Sequence, residues 1–356
     1  MTDIRDVEVI APNFKRRLSG VTSTIIQLVP EQNRLGQKVA TLGPGLPASL
    51  PSIGFIDLFR LWKAPAGRRR RIWHARRNLE MLPAIVMRDI LRMKIAVVFT
   101  SASQRQHSAW TKFLIRRVDA VIATSSKTAG YLDVPNTVIR HGIDTDRFRP
   151  PQDKAGARRA VGLPEASRIV GCFGRVRHQK GTDLFVEAMI ELLPERKDWI
   201  AVVAGRATGK HQAFEAALRK RVAAAGLEAR ILFVGEHTNI PDWYRALDLY
   251  IAPQRWEGFG LTPLEAMASG VPVVATDVGA FSELIDEETG ILVSADSTEA
   301  ISAAAAIFMD DDARRGRAGA SGRLRVSSMF SLENEATGIN DVYRPLKDGL
   351  SKPALD

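Results

Sequence analysis

Short apolar runs of strand length alternate with helical stretches in two successive series, and this alternation restricts the chain to parallel α/β folds. The first series has expected strands at 6–11, 38–42, 95–100, 120–124 and 138–140, with helices at 23–35 and 108–117. The second has expected strands at 168–173, 199–204, 230–234, 249–252, 271–276 and 290–293. Helices at 183–193, 212–225, 243–246 and 263–269 separate these strands. Between the series, 146–164 carries Pro150, Pro151, Gly156, Gly162 and Pro164 in a basic, polar setting and reads as a linker. The expected architecture is therefore two Rossmann-like domains, 1–150 and 151–330, facing a central cleft. A tail at 331–356 follows, with a last helix near 332–346.

A chain of 356 residues with 45% apolar content is large enough for two cores. Its one cysteine, Cys172, sits in the apolar run Ile169-Val170-Gly171-Cys172-Phe173 and reads as a packing residue. A single cysteine allows no disulfide framework within the chain, which fits a reducing, cytoplasmic compartment. No run of about 18 to 20 apolar residues is present to span a membrane, and the amino terminus does not read as a secretory signal. The net charge is +10, and part of it is clustered at Lys15 to Arg17, Arg68 to Arg71, and Arg76 with Arg77. Such patches attract polyanions or an anionic membrane surface, unless they are only solvated faces. No nucleic-acid motif accompanies them, so a nucleic-acid partner is not expected.

Three segments carry chemistry. Glu257-Gly258-Phe259-Gly260-Leu261-Thr262-Pro263-Leu264-Glu265 follows a strand and opens a helix. Its glycines let backbone amides approach a ligand, and amides at a helix start suit a phosphate. The carboxylates Glu257 and Glu265 can accept from sugar hydroxyls. Thr262 and Glu265 also fit a capping box, which is the competing reading of Glu265. The second segment, Gly174-Arg175-Val176-Arg177-His178-Gln179-Lys180-Gly181, places Arg175 and Lys180 in a glycine-bounded loop at a strand's carboxyl end. Two fixed cations there suit the negative charge of a departing diphosphate; a solvated basic loop is the alternative. The third is the loop of 17–22, where Gly20 could let backbone approach a phosphate or could simply make a turn.

Together with His141-Gly142-Ile143-Asp144, these segments resemble the signature set of the family-four retaining GT-B glycosyltransferases. The resemblance implies that Glu257 contacts the donor sugar and Glu265 the ribose, and that Arg175 and Lys180 hold the diphosphate. It assigns the amides of Phe259, Gly260 and Leu261 to sugar or phosphate, and it sends the tail helix back to the first domain. It also implies a histidine facing the donor sugar, for which His107 is the candidate and His74 the competitor. The runs Phe99 to Ser108 and Ala252 to Trp256 are similar to those of alpha-proteobacterial lipopolysaccharide core mannosyltransferases. That similarity implies GDP-mannose as donor, a Kdo-containing lipid A precursor as acceptor, and a peripheral place on the cytoplasmic face of the inner membrane. One departure is His141, where the family usually has Asn. Asp144 and Asp146 resemble a metal-holding pair but lie away from a donor strand, so neither a metal nor another cofactor is expected. Two other readings stay open. One is a glycosyltransferase using a different nucleotide sugar, such as UDP-glucose. The other is a non-catalytic subunit that binds a nucleotide sugar.

Overall fold

The computed structural model describes residues 2–16 and 20–349. The chain divides into two compact units: Met1–Gly142 together with Leu332–Asp356, and Ile143–Ser331. The crossover thus falls at Gly142, not at the expected boundary of 150, and the supposed linker 146–164 lies inside the second unit. The cause is local. Asp153 caps a helix, Lys154–Ala160, by accepting from the amides of Ala155 and Gly156 at 3.0 and 2.8 Å. Arg158 of that helix then reaches Asp248 at 2.7 Å.

Among the described residues the first unit holds a seven-stranded sheet. Its strands are β1 (Val9–Pro12), β2 (Val39–Leu42), β3 (Ser52–Ile53), β4 (Arg71–Ala75), β5 (Ile95–Ser101), β6 (Ala120–Ala123) and β7 (Thr137–Val138). All pairings are parallel, in the order β3-β2-β1-β4-β5-β6-β7. Successive strand residues face opposite layers: Val9, Ile72, Ala96 and Val98 pack to one side, Ile10, Trp73, Val97 and Phe99 to the other. Both layers are covered by helices, which is why these strands read as nearly continuous apolar runs.

The central strand β4 has no counterpart in the sequence-based expectation, because Arg71 and His74 interrupt its apolar pattern. Arg71 was expected in a basic surface run, yet it is buried. Its guanidinium donates to the carbonyl oxygens of Val7, Ile4 and Lys63 at 2.7, 3.0 and 3.2 Å. Arg68 pairs with Glu8 and Asp348, and Arg70 lies 3.7 Å from Asp119, so much of that run is neutralised within the unit.

The tail forms the helix Leu332–Lys347 and packs in the first unit, as the resemblance implies. Ala336, Ile339, Val342, Tyr343 and Leu346 are buried with Val9, Ile25 and Leu28. Buried Glu335 accepts from the Gly142 amide at 2.7 Å and bonds His141 Nδ1 at 2.7 Å. The histidine that departs from the family pattern therefore serves to anchor this helix.

The second unit contains β8 (Arg168–Phe173), β9 (Trp199–Ala204), β10 (Ile231–Gly235), β11 (Leu249–Ala252), β12 (Val273–Thr276) and β13 (Gly290–Val293). They form a parallel sheet in the order β10-β9-β8-β11-β12-β13. Chain order reverses between β8 and β11, so the crevice at their carboxyl ends is the topological switch point where such sheets bind ligands. Cys172 is buried in this core, and burial pushes its thiol up to about 12, consistent with a packing role. Asp310 pairs with Arg196 at 2.6 Å, and Asp311 caps the helix Asp312–Met329, whose polar composition hid it from the sequence pattern.

Candidate active site

The loops that follow β8 and β11, the two strands at the switch point, are the segments 174–181 and 253–261. Gly174 leaves β8 with φ +138° and donates its amide to Ala204 at 2.9 Å. Gly181 closes the first loop with φ +67°, and a Cβ there would stand 1.8 Å from the Pro253 carbonyl oxygen. Only a glycine permits the two loops to touch at that point.

Across this contact, the Lys180 ammonium pairs with the Glu257 carboxylate. Both side chains are largely shielded, at 21% and 18% exposure. The other Glu257 oxygen accepts from the Gly258 amide at 3.0 Å. Two further glycines make room for the packing around Glu257. A Cβ on Gly260, which has φ +86°, would meet Phe281 at 2.3 Å, and one on Gly279 would meet the Glu257 carbonyl at 3.0 Å. Arg175, in the same loop as Lys180, is exposed and makes no ion pair among the described residues.

A residue without an assigned role in the sequence reading, Arg255, ties the loops together. It forms a two-pronged pair with Asp183 at 2.8 Å, donates to the His178 carbonyl at 2.6 Å, and meets Asp296 at 2.6 Å. Its own amide donates to the Gln179 carbonyl at 3.0 Å. A planar guanidinium suits this task because its forked donors fix direction as well as distance. Nothing in the sequence links Arg255 to Asp183 before the sheet order is known.

The Glu265 capping-box reading is overturned. The helix Thr262–Ala268 begins after Leu261 without a side-chain cap. Glu265 instead accepts from the Tyr244 hydroxyl at 2.8 Å, and burial raises its pKa above the usual carboxylate value. Its second oxygen accepts no hydrogen bond from a side chain or amide among the described residues. The Phe259 side chain is core, packed with Phe281 and Leu264, so this residue has only backbone to offer a ligand. The helix Thr182–Leu192 also starts without a side-chain cap, at Gly181, so its first amides need partners from outside the helix.

In the first unit, Gly20 begins the helix Gly20–Arg34, and a Cβ there would meet nothing within 4 Å. Packing therefore does not demand glycine at this position. The rest of the expected loop before it, 17–19, lies outside the described residues, and Arg17 of the basic cluster with it. The two histidines separate clearly. His74 is buried, bonded through Nδ1 to the Tyr343 hydroxyl and through Nε2 to Thr100 Oγ1 at 2.6 Å, and burial keeps it neutral. It is structural. His107 lines a cleft of about 480 Å³ after β5, with Nε2 3.3 Å from Ser101 Oγ. Its pKa is lowered, first by burial and then by Arg105 and Lys112. The Asp144 carboxylate is used in a turn, accepting from the amides of Asp146 and Arg147 at 3.1 and 2.9 Å. Among the described residues no group of three or more His, Cys, Asp or Glu is placed to hold a metal ion.

Comparison with known proteins gives the family and the fold. The profile of glycosyl transferases group 1 matches residues 167–311, most of the second unit. The chain is 70% identical over 349 residues to the lipopolysaccharide core biosynthesis mannosyltransferase LpsB of Rhizobium meliloti, covering 97% of this chain and 99% of that one. It is 57% identical over 347 residues to the corresponding mannosyltransferase LpcC of Rhizobium leguminosarum bv. viciae, covering 97% and 98%. The crystal structure of Anabaena Alr3699/HepE in complex with UDP shares the fold, with a TM-score of 0.81 at 19% identity over 95% of this chain and all (100%) of that one. The C-terminal domain of the group 1 protein LpcC from Francisella tularensis aligns with a TM-score of 0.51 at 38% identity, covering 53% of this chain and 99% of that domain.

Proposed function

The chain belongs to the group 1 glycosyl transferases, with the two parallel-sheet units of a GT-B enzyme, and on that footing we propose that it transfers mannose from GDP-mannose to a Kdo-containing lipopolysaccharide inner-core acceptor, with retention at the anomeric carbon. The observation that carries the reading is the meeting of Lys180 with Glu257 at the switch point of the second sheet. A nucleoside diphosphate entering this crevice competes for Lys180. Taking the ammonium releases Glu257, whose carboxylate is then free to accept from hydroxyls of the donor sugar. Arg175 adds a second cation, and the amides of Gly260 and Leu261 complete the anion's surroundings. Glu265, polarised by Tyr244, suits a ribose hydroxyl. In this reading Arg175 and Lys180 stabilise the leaving diphosphate, and its oxygen assists attack from the same face of the sugar.

The test is a donor panel of GDP-mannose, UDP-glucose, UDP-galactose and ADP-heptose on a Kdo-bearing lipid A precursor. Transfer is expected from GDP-mannose, at least about tenfold faster than from the others, as loss of base-specific hydrogen bonds dictates. Faster transfer from another donor, or binding of every donor without transfer, would overturn it.

A peripheral position on the cytoplasmic face of the inner membrane is part of the proposal. No helix among the described residues is long and apolar enough to cross a membrane. The first unit does expose Ile56, Phe59 and Ile90 at 83%, 74% and 70%, with Phe55, Trp62 and Leu91 beside them. Trp62 donates to the Leu91 carbonyl at 2.7 Å, which joins these two segments into one apolar face. Exposed Arg60, Lys63 and Arg92 flank it, a combination that fits an anionic lipid surface. The double variant Ile56→Ser, Phe59→Ser is expected to weaken co-sedimentation with anionic vesicles at least about tenfold, since each buried apolar side chain contributes about 1.5–3 kcal/mol. Unchanged sedimentation would remove this face from the proposal.

A further inference from the structure

The first unit has its own reversal of strand order, between β1 and β4. The first residues to leave β4 at that point are Arg76 and Arg77. They form one wall of the cleft of about 480 Å³, and the segment after β5 that carries Arg105 and His107 forms the other. The remaining lining is mostly hydroxyl and amide side chains, and no acidic residue takes part.

The local carboxylate is already committed. Glu80 is fully buried, with one oxygen accepting from the Arg77 guanidinium at 2.8 Å and the other from the Arg76 backbone amide at 2.7 Å. The Arg76 guanidinium is left with a single hydrogen bond among the described residues, to the His74 carbonyl at 3.3 Å. Burial lowers its pKa, against the opposing pull of Tyr343, Glu80 and Glu335. Arg105 is exposed at the mouth and makes no ion pair among the described residues. The Arg76 guanidinium is half-buried, with Glu80 and Glu335 offsetting part of its charge but no ion pair among the described residues, so it keeps donors for an anion entering a cavity whose lining carries no carboxylate. His107 does not supply charge near neutral pH, because burial and the neighbouring Arg105 and Lys112 hold its pKa down.

We propose that this cleft is an oxyanion subsite for the acceptor: Arg76 takes a carboxylate or phosphate of an acidic saccharide through its paired donors, with Arg105 as the outer cation and the hydroxyl-rich walls receiving sugar hydroxyls. The proposal rests on the glycosyltransferase reading above, in which the donor's diphosphate is already served by Arg175 and Lys180 of the second unit. A planar guanidinium binds either oxyanion by two parallel hydrogen bonds, so lysine is a poor substitute.

The experiment compares the wild-type chain with Arg76→Gln, Arg76→Lys and Arg105→Gln. Three acceptors are used: a synthetic Kdo-terminated glycolipid, its carboxylate methyl ester, and its dephosphorylated form. Arg76→Gln is expected to raise the KM for the acidic acceptor at least about tenfold, the scale of one charge-assisted contact. The KM for the donor should stay within about twofold. Arg76→Lys should recover only part of the loss, and exposed Arg105→Gln should show a smaller loss of the same selectivity. If the methyl ester abolishes the difference between wild type and variant, the group is the carboxylate; if dephosphorylation does, it is a phosphate. Equal losses on all three acceptors, or a loss confined to the donor, overturns the subsite. Calorimetric binding of the same acceptors without donor separates the two readings. If wild type binds the acidic form and Arg76→Gln does not, the subsite stands even where no mannose is transferred. If both bind alike, the subsite falls whatever the donor. Should Arg76→Gln fail to fold, the Arg105→Gln series decides alone.

Discussion

Lys180→Ala is expected to cut turnover by about a hundredfold or more while the second unit stays folded. That is the scale of losing one preorganised stabiliser of transition-state charge. The reasoning starts from position. Lys180 is held by a turn that ends at Gly181, where a Cβ would clash with the Pro253 carbonyl, and Arg255 clamps the same turn from the other loop. The ammonium therefore cannot be replaced by a neighbour moving in. Its partner Glu257 keeps the Gly258 amide when the lysine is gone, so the carboxylate is not left without a donor. The fold should register the change modestly, because the remaining Glu257 carboxylate keeps both the Gly258 amide and some access to water. The checks are single-turnover kinetics with saturating acceptor and the unfolding midpoint. Near-normal turnover would remove Lys180 from the transition state, and a collapsed midpoint would assign the loss to folding instead.

The second large effect concerns the tail. A chain ending at Ser331 is expected to lose the cooperative unfolding of the first unit while the second unit keeps its own transition. The tail helix contributes Ile339, Val342, Tyr343 and Leu346 to the first unit's core. Deleting buried side chains of that size costs about 2–5 kcal/mol each, against a total stability of about 5–15 kcal/mol. Polar losses add to this. His74 loses the Tyr343 hydroxyl, Glu8 and Gln37 lose the Lys347 ammonium at 2.7 and 2.9 Å, and the Gly142 amide loses Glu335. Calorimetry of the truncated chain should show one transition where the intact chain shows contributions from both units. A first unit that still unfolds cooperatively after truncation would contradict the role assigned to the helix.

The second unit was the more legible half. Its strands are apolar through their length, its helices end at Gly226 and Gly270, and its two charged loops fall directly after strands. Pattern alone therefore placed Arg175, Lys180 and Glu257 in loops that follow strands, which is where they lie. What it could not show was that β8 and β11 are neighbours, since strand order is a property of the folded sheet. Hence Arg255, which joins Asp183 to the Glu257 turn, had no visible task. The first unit hid β4 because a central strand carrying Arg71 and His74 does not look central. Arg71 is tolerated there only because three backbone carbonyls receive its guanidinium. The Thr262–Glu265 spacing misled for a different reason. A cap and a hydroxyl acceptor need the same short side-chain reach, and only the presence of Tyr244 at 2.8 Å decides between them.

The discontinuity of the first unit bears on how the enzyme is made. The second unit is inserted within it, and the entering and leaving segments lie side by side, with the Ile143 amide donating to the Phe330 carbonyl at 2.8 Å. During synthesis the inserted body has all its residues outside the ribosome before Leu332 onward has emerged. The second unit can therefore mature early, whereas the first must wait with one flank of its sheet uncovered. That interval exposes apolar strand surface, which nascent chains would present to chaperones or to each other.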